Sequence, residues 1–365
     1  MENKQLIPMK DTRNLEYHFD FKSGWKDKAK KFLRSFWISD FIRWDPWILK
    51  DDDVYRMFYL VGPKDTEVFW STGKIQGAIS SDLKQWQDLG VVLEPDPAIA
   101  WESGRMLAGC AYKENGVYYL FYSAAGEGDP ALFYEEIGLA TSRDGLHWQR
   151  YSSHPQNLFL NLEDRDRWYG KFKQRFFFWR DPYLIKDPNT GKYYMVISSY
   201  LKAGMSISRG CIGLAVADKI TGPYQVLPPI AAPVVNEKID ETEEWPFYEM
   251  ERPQVIYKDG KYNLFFSCWT THLNPTWVQK VGKTNLTNSS LYWYVSEQIT
   301  GPFRPVNDKP VVEGSEKTGI YGTNFIPILN QPEEFIAYGW YPRRMALGVS
   351  PQVRVNWNNN SIEIR

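Results

Sequence analysis

The chain has 365 residues, with 43 basic against 44 acidic side chains and a formal charge of -1, so no large net field draws it to nucleic acid or to an anionic membrane. A neutral or weakly charged partner is expected, and aromatic residues at 16%, with 16 Trp and 23 Tyr, suit both strand packing and platforms for an apolar ring face. Three cysteines, Cys110, Cys211 and Cys268, sit in apolar stretches and read as buried free thiols, while only four histidines, at 18, 147, 154 and 272, weigh against a zinc site or a Ser-His-Asp scheme. Any chemistry is expected to run on carboxylates, with no cofactor and no metal.

In chain order, residues 1–20 mix charged and apolar side chains without the continuous apolar core of a secretory signal, and no window reaches the apolar length of a membrane span. A cytoplasmic protein is the default expectation, with export by a signal-less route left open. Lysines at 26, 28, 30 and 31 alternate with Ala29, Phe32, Leu33 and Phe36, which predicts a short amphipathic helix inside an N-terminal extension, 1–40. Its basic face is read as solvated and its apolar stripe as cover for a core edge, not as a membrane anchor.

From residue 41 to 365 the text is repetitive. An aromatic-rich strand recurs from Val54, Val117, Tyr193 and Tyr262, and more faintly from Phe335. A second segment follows it, seen most clearly as Ser80-Ser81-Asp82 running to Trp86 and Ser142-Arg143-Asp144 running to Trp148. Both read as β-strands bounded by Gly, Asn, Asp and Pro turns. Five such units spaced roughly 60 to 75 residues apart predict an all-β, single-domain, five-bladed propeller, whose first strands converge on a central axis. Asp51-Asp52-Asp53 reads as a solvated hairpin turn and not as a calcium loop.

Before three of these strands stands an acid beside a proline or arginine: Trp44-Asp45-Pro46-Trp47, Trp179-Arg180-Asp181-Pro182 and Glu249-Met250-Glu251-Arg252-Pro253. Asp45, Asp181 and Glu251 lie 10, 12 and 11 residues before Tyr55, Tyr193 and Tyr262. Equivalent places in a propeller would bring the three acids together at one end of the channel. Turn initiation by Asp-Pro, and pairing of Glu251 with Arg252, explain each motif singly but not their shared place. Two acids flanking a bond, one protonated and one ionised, are what glycoside hydrolysis requires, and a third fits as a clamp on sugar hydroxyls.

The three blocks, in this order, resemble the signature blocks of the family 68 and family 32 glycoside hydrolases, the levansucrase, inulosucrase and invertase group. The resemblance spans roughly 41–340, and the Trp-Asp and Glu-Arg-Pro forms lean toward family 68. It implies a five-bladed propeller and a retaining mechanism on a fructosyl group of sucrose or a related fructoside. Asp45 would be the nucleophile, Glu251 the acid and then the base, and Asp181, with Arg180 beside it, the holder of fructosyl hydroxyls. Glu249 would bond the leaving sugar or Arg252, and Arg252 would lower the pKa of whichever carboxylate it meets. Trp44 and Trp47 flank the nucleophile, Trp44 as a candidate wall for the sugar and Trp47 more in keeping with core. Trp101-Glu102-Ser103-Gly104 resembles the family's Trp-Ser-Gly loop with one residue inserted, which makes Trp101 and Ser103 candidate substrate contacts, though a plain turn explains Ser103 as well.

Two other readings stay open. An inverting, family 43-like arabinosidase or xylosidase also uses three acids on five blades, with the first Asp as base for water. A non-catalytic propeller that binds carbohydrate is the other, since fold alone does not prove activity.

Overall fold

The computed structural model describes residues 41–364 except 65–68, 129–133, 152–156, 173–175, 203–208, 236–237, 240–244, 283–289, 307–309, 312–319, 330, 343–345, 350–354 and 359–360. The expected extension over 1–40, with its helix, lies outside the described residues.

Five antiparallel sheets make five blades. Blade I is Phe41–Asp51, Val54–Pro63, Lys74–Ser80 and Gln87–Leu93; blade II is Arg105–Glu114, Val117–Ala125, Glu135–Ser142 and Gln149–Arg150. Blade III is Trp179–Lys186, Tyr193–Tyr200, Gly210–Ala217 and Tyr224–Ala231, extended by a parallel pairing with Phe159–Leu160. Blade IV is Glu251–Lys258, Lys261–Cys268, Ser290–Ser296 and Arg304–Pro305, and blade V is Tyr321–Ile328, Gln331–Tyr341 and Ala346–Val349. The first strands touch in the cyclic order I, II, III, IV, V and back to I, so the expected propeller closes on itself.

The second strands explain the aromatic repeat. Every residue of Tyr193–Tyr200 is buried, and so is all of Lys261–Cys268 after its first residue. A strand covered on both faces reads as a continuous apolar run and not as an alternation. The cores lie largely between blades: Phe121, Leu139, Tyr193 and Ile197 pack blade II on III, and Val196, Ile212, Leu264 and Phe266 pack III on IV.

Tyrosines opening the second strands tie neighbouring blades together. Tyr118 donates to Asp51 Oδ2 at 2.8 Å, Tyr193 to Glu114 Oε2 at 2.6 Å, and Tyr262 to Asp187 Oδ1; the acid ends the first strand of the preceding blade or, for Asp187, directly follows it. Between blades V and I, Tyr55 donates to the Pro327 carbonyl at 3.3 Å and accepts from the Leu329 amide at 2.6 Å. Asp51 is therefore not solvated as expected. It is buried against Arg56 at 2.6 Å and Lys113 at 2.5 Å, and these partners with Tyr118 outweigh its burial and lower its pKa.

The first strand of each blade carries a bulge. Its register shifts between Trp44 and Trp47, Leu107 and Gly109, Arg180 and Tyr183, Glu251 and Gln254, and Tyr321 and Asn324. In four blades the first extra residue has positive φ: Asp45 (46°), Asp181 (53°), Arg252 (55°) and Gly322 (60°). Pro46, Pro182 and Pro253 follow, at places where the ladder does not call on their missing N–H. The blades thus align on the proline. Glu251 does not share the place of Asp45 and Asp181; it stands one residue earlier, level with Trp44, Arg180 and Tyr321. The tyrosine ruler concealed this offset because the connecting turns differ in length.

If the tyrosine–acid contacts hold the ring, Asp187→Ala should lower unfolding stability by about 1–3 kcal/mol in a urea titration, since it leaves the Tyr262 hydroxyl without its acceptor, with only the bond from Asn189 remaining. Lys192→Ala, which breaks an exposed pair with Asp218 nearby, should leave stability unchanged. Equal effects from the two substitutions would refute this account.

Candidate active site

The bulges deliver the site. Asp45, Asp181 and Glu251 line one cavity of about 300 Å³, together with Trp44, Arg180, Glu249 and Arg252. A non-glycine residue at positive φ is held there by its surroundings, and such residues gather at functional sites. Serines of the second strands supply part of that hold. The Asp181 amide donates to Ser123 Oγ at 2.9 Å, Ser198 Oγ donates to the Met250 carbonyl at 2.6 Å, and the Thr323 amide donates to Ser267 Oγ at 3.2 Å.

Arg180 is the hub of the acids. Its Nη1 donates to both oxygens of Glu135 at 3.0 and 3.1 Å, and its Nη2 to Glu249 Oε1 at 2.6 Å and Glu251 Oε1 at 3.0 Å. Its Nε lies 3.9 Å from Asp181 Oδ2, and its plane lies over the Phe178 ring, 4.5 Å from the centroid. Glu251 also accepts a hydrogen bond from the Tyr321 hydroxyl, and Glu249 is ion-paired with His272.

These surroundings set the predicted acid, Glu251, apart from the predicted nucleophile, Asp45. Burial, and then the neighbouring Glu249 charge, push Glu251 up to about 8 against the pull of Arg180. Burial also raises Asp45, but the Arg252 guanidinium opposes it and the group comes to about 6. Burial would raise Glu249 as well, yet His272 and Arg180 outweigh it and hold its carboxyl well below the usual range. Glu135, 3% exposed, is raised to about 7 by burial in spite of Arg180 and Arg105. Of the two, Glu251 therefore holds its proton to higher pH than Asp45.

Several sequence expectations change. Trp101 and Ser103 do not line the cavity. Glu102 between them is wholly buried, accepts from Tyr122 at 2.7 Å and is ion-paired with Arg150, and this pulls the loop into blade II. Trp101 stacks on Tyr122, with 6.0 Å between ring centroids, and Ser103 Oγ bonds within its own turn and to the Glu127 amide. The residue inserted into the Trp-Ser-Gly pattern is thus the one that turns the loop away. Glu249 meets Arg180 and His272, not Arg252. Arg252, expected among the substrate contacts, is 4% exposed and spends its guanidinium on backbone carbonyls and Asn324. Trp47 is core, stacked on Phe58, and Trp44 is buried edge-on to Phe69 while still reaching the cavity.

Sequence reasoning missed Glu135, His272, Tyr321, Trp269 and Trp340, all of which line the cavity. Extending the proline-aligned repeat to blade V would have found Tyr321, which occupies the place of Glu251. His272 follows the second strand of blade IV in the 3-10 turn Thr270–His272, and Glu135 opens the third strand of blade II. Neither place belongs to the repeat. Among the described residues no group of three or more His, Cys, Asp or Glu side chains is arranged to hold a metal ion, and no helix is long and apolar enough to cross a membrane.

Comparison with known proteins agrees with this fold. Residues 45–208 match the family model of the glycosyl hydrolases family 32 N-terminal domain, and residues 198–350 match that of levansucrase/invertase. A levansucrase of Erwinia amylovora is 29% identical over 216 residues, 52% of this chain and 42% of that protein. Levansucrase Lscgamma of Pseudomonas syringae pv. actinidiae is 30% identical over 161 residues, 37% of this chain and 33% of that protein. The matched stretches thus span less than half the length of these relatives. Among solved structures, the inulosucrase from Halalkalicoccus jeotgali bound to kestose superposes with a TM-score of 0.64 at 20% identity, covering 90% of this chain and 87% of that one. Bacillus subtilis levansucrase gives 0.62 at 15% identity, covering 93% and 92%; both likenesses establish the shared propeller fold. With both family models matched in order along the blades that carry the acids, the chain belongs to the family 68 and family 32 group of glycoside hydrolases.

Proposed function

We propose that the protein is a retaining glycosidase or transglycosidase acting on a fructoside, sucrose foremost. The observation that carries this reading is the pair Asp45 and Glu251 in one cavity, in surroundings that raise Glu251 further than Asp45 and so set proton donor apart from nucleophile. An Asp45 oxygen attacks the anomeric carbon of the fructosyl group; the glycosidic bond breaks as Glu251 passes its proton to the departing oxygen. Glu251, now a carboxylate, takes a proton from water or from an acceptor hydroxyl, which attacks the same carbon and frees Asp45. Asp181 holds fructosyl hydroxyls, and the aromatic lining from Trp44, Trp269 and Trp340 packs on apolar ring faces. Arg180, Arg252 and His272 stand against five acids, of which burial raises Glu251 and Glu135 toward the neutral form, and this near-balance suits a neutral ligand. Sucrose as substrate is supported by the solved complexes of similar proteins, a levansucrase variant with sucrose and the inulosucrase with kestose.

Incubation with sucrose should release glucose, and Glu251→Gln and Asp45→Asn should each lower kcat by at least about 10³-fold. Equal glucose and fructose would mark hydrolysis, and glucose in excess with longer products would mark transfer. The fructose first formed should keep the anomeric configuration of the substrate by NMR. Inverted product would replace this mechanism with direct attack by water, and no glucose release would remove sucrose.

The pH dependence has a definite sign. Asp45 must be ionised, so kcat/KM should fall as pH drops through about 6; Glu251 must be protonated, so it should fall again as pH rises through about 8. A rate still climbing from pH 7 to 9 would exclude Glu251 as the acid.

A further inference from the structure

Arg252 occupies the bulge place that in blades I and III holds Asp45 and Asp181, and although it borders the cavity its guanidinium is spent on the neighbouring strands. It is 4% exposed and bonds to four other blades. Its amide donates to Asp181 Oδ2 of blade III at 3.0 Å, and its Nη2 donates to the Pro46 carbonyl of blade I at 2.5 Å and to Asn324 Oδ1 of blade V at 3.3 Å. Its Nη1 reaches the Gly109 carbonyl of blade II at 3.5 Å, and Asn324 Nδ2 returns a bond to the Arg252 carbonyl at 3.2 Å. Pro46 is the residue directly after Asp45. At Gly322 an added Cβ would lie 3.2 Å from Arg252 Cγ, 3.4 Å from Asp45 Oδ1 and 3.7 Å from Arg252 Nε. The guanidinium stem and the Asp45 carboxylate therefore flank the same glycine, which leaves them room. Beneath, the guanidinium lies 5.8 Å from the centroid of the Trp47 ring, and Arg252 also lines a second cavity on the far side of the channel.

The geometry points to Arg252 as a positioning residue that fixes the Asp45-Pro46 segment from below and keeps the Asp45 carboxylate ionised, without touching substrate. This rests on the assignment of Asp45 as nucleophile. A planar fork that serves three carbonyl-type acceptors on three strands is work a lysine cannot do, whereas the charge alone it can supply. The groups facing Asp45 are Arg252 of blade IV, Asp181 and Arg180 of blade III, and the Trp340 indole of blade V. Of the two cations, Arg180 is already engaged by Glu135, Glu249 and Glu251, which leaves Arg252 as the stronger of the two in its pull on Asp45.

Two variants separate charge from geometry. Arg252→Gln keeps donors and removes the charge; Arg252→Lys keeps the charge and loses the fork. The titration of Asp45 is followed by carboxyl carbon NMR in the unliganded protein and assigned by its loss in Asp45→Asn. In Arg252→Gln the midpoint should rise by about one pH unit or more, and in Arg252→Lys it should stay near the wild-type value. With sucrose, kcat should fall about 10²-fold in Arg252→Gln and less in Arg252→Lys, with KM little changed in both, and the acid limb of the Arg252→Gln profile should move up while its alkaline limb stays. An Asp45 midpoint in Arg252→Gln equal to the wild type overturns the proposal, whatever the substrate. Wild-type protein that leaves sucrose intact counts against the sucrose reading alone, because the NMR titration still decides the role of Arg252.

Discussion

A two-residue bulge on the innermost strand is the constraint from which the rest of the site follows. Two residues face one of the partner strand, the first is driven to positive φ, and the chain turns side chains toward the channel that a regular pleat would bury between blades. Repeated around the ring, it generates two rungs. Trp44, Arg180, Glu251 and Tyr321 form one; Asp45, Asp181, Arg252 and Gly322 form the next. Contacts run within each rung: Arg180 and Tyr321 both bond Glu251 in the first, and Arg252 bonds Asp181 and flanks Asp45 in the second.

That division accounts for the electrostatics. Buried carboxylates are tolerated only when paired, and each rung carries one arginine. In the first rung the arginine is shared among Glu135, Glu249 and Glu251, and His272 draws Glu249 further toward the ionised form. Glu251 is thus the acid that receives the least compensation beside the most negative neighbour, and it keeps its proton. In the second rung the guanidinium of Arg252 faces fewer acids, and Asp45 loses its proton more readily. Opposite protonation of two similar groups is a consequence of which rung each stands on.

Much of the fold was legible because a propeller repeats its physics as well as its shape. Second strands read as unbroken aromatic runs because both their faces are covered, and the tyrosine used as a ruler recurs because it latches each blade to the one before. The ruler failed by one residue at Glu251, where turn length and not strand register set the spacing. Tyr321-Gly322 was passed over because it has neither acid nor proline, although a glycine meets the backbone demand of that bulge most easily. Glu135 and His272 could not be read at all from the repeat: each stands at one blade only, and each matters through a contact with an arginine or a glutamate far away in sequence. The Trp101-Glu102-Ser103 loop was misread for a related reason, since its fate depends on Arg150, 48 residues on from Glu102, claiming the inserted acid.

The offset of Glu251 also bears on why the third block departs from the other two. Had an aspartate stood at the bulge of blade IV, three acids would share one rung with no cation among them, and the channel centre would hold three mutually repelling carboxylates in a place that water reaches poorly. Placing arginine at the bulge and the acid one residue earlier removes one negative charge from the lower rung and supplies the positive charge that its remaining two need. The same step lifts the longer glutamate side chain to the level of Arg180 and Tyr321, beside Glu249 and His272. One residue of register therefore separates attacking group from proton donor, and the Glu-Arg-Pro form is the local solution that a ring of Asp-Pro bulges requires at one of its blades.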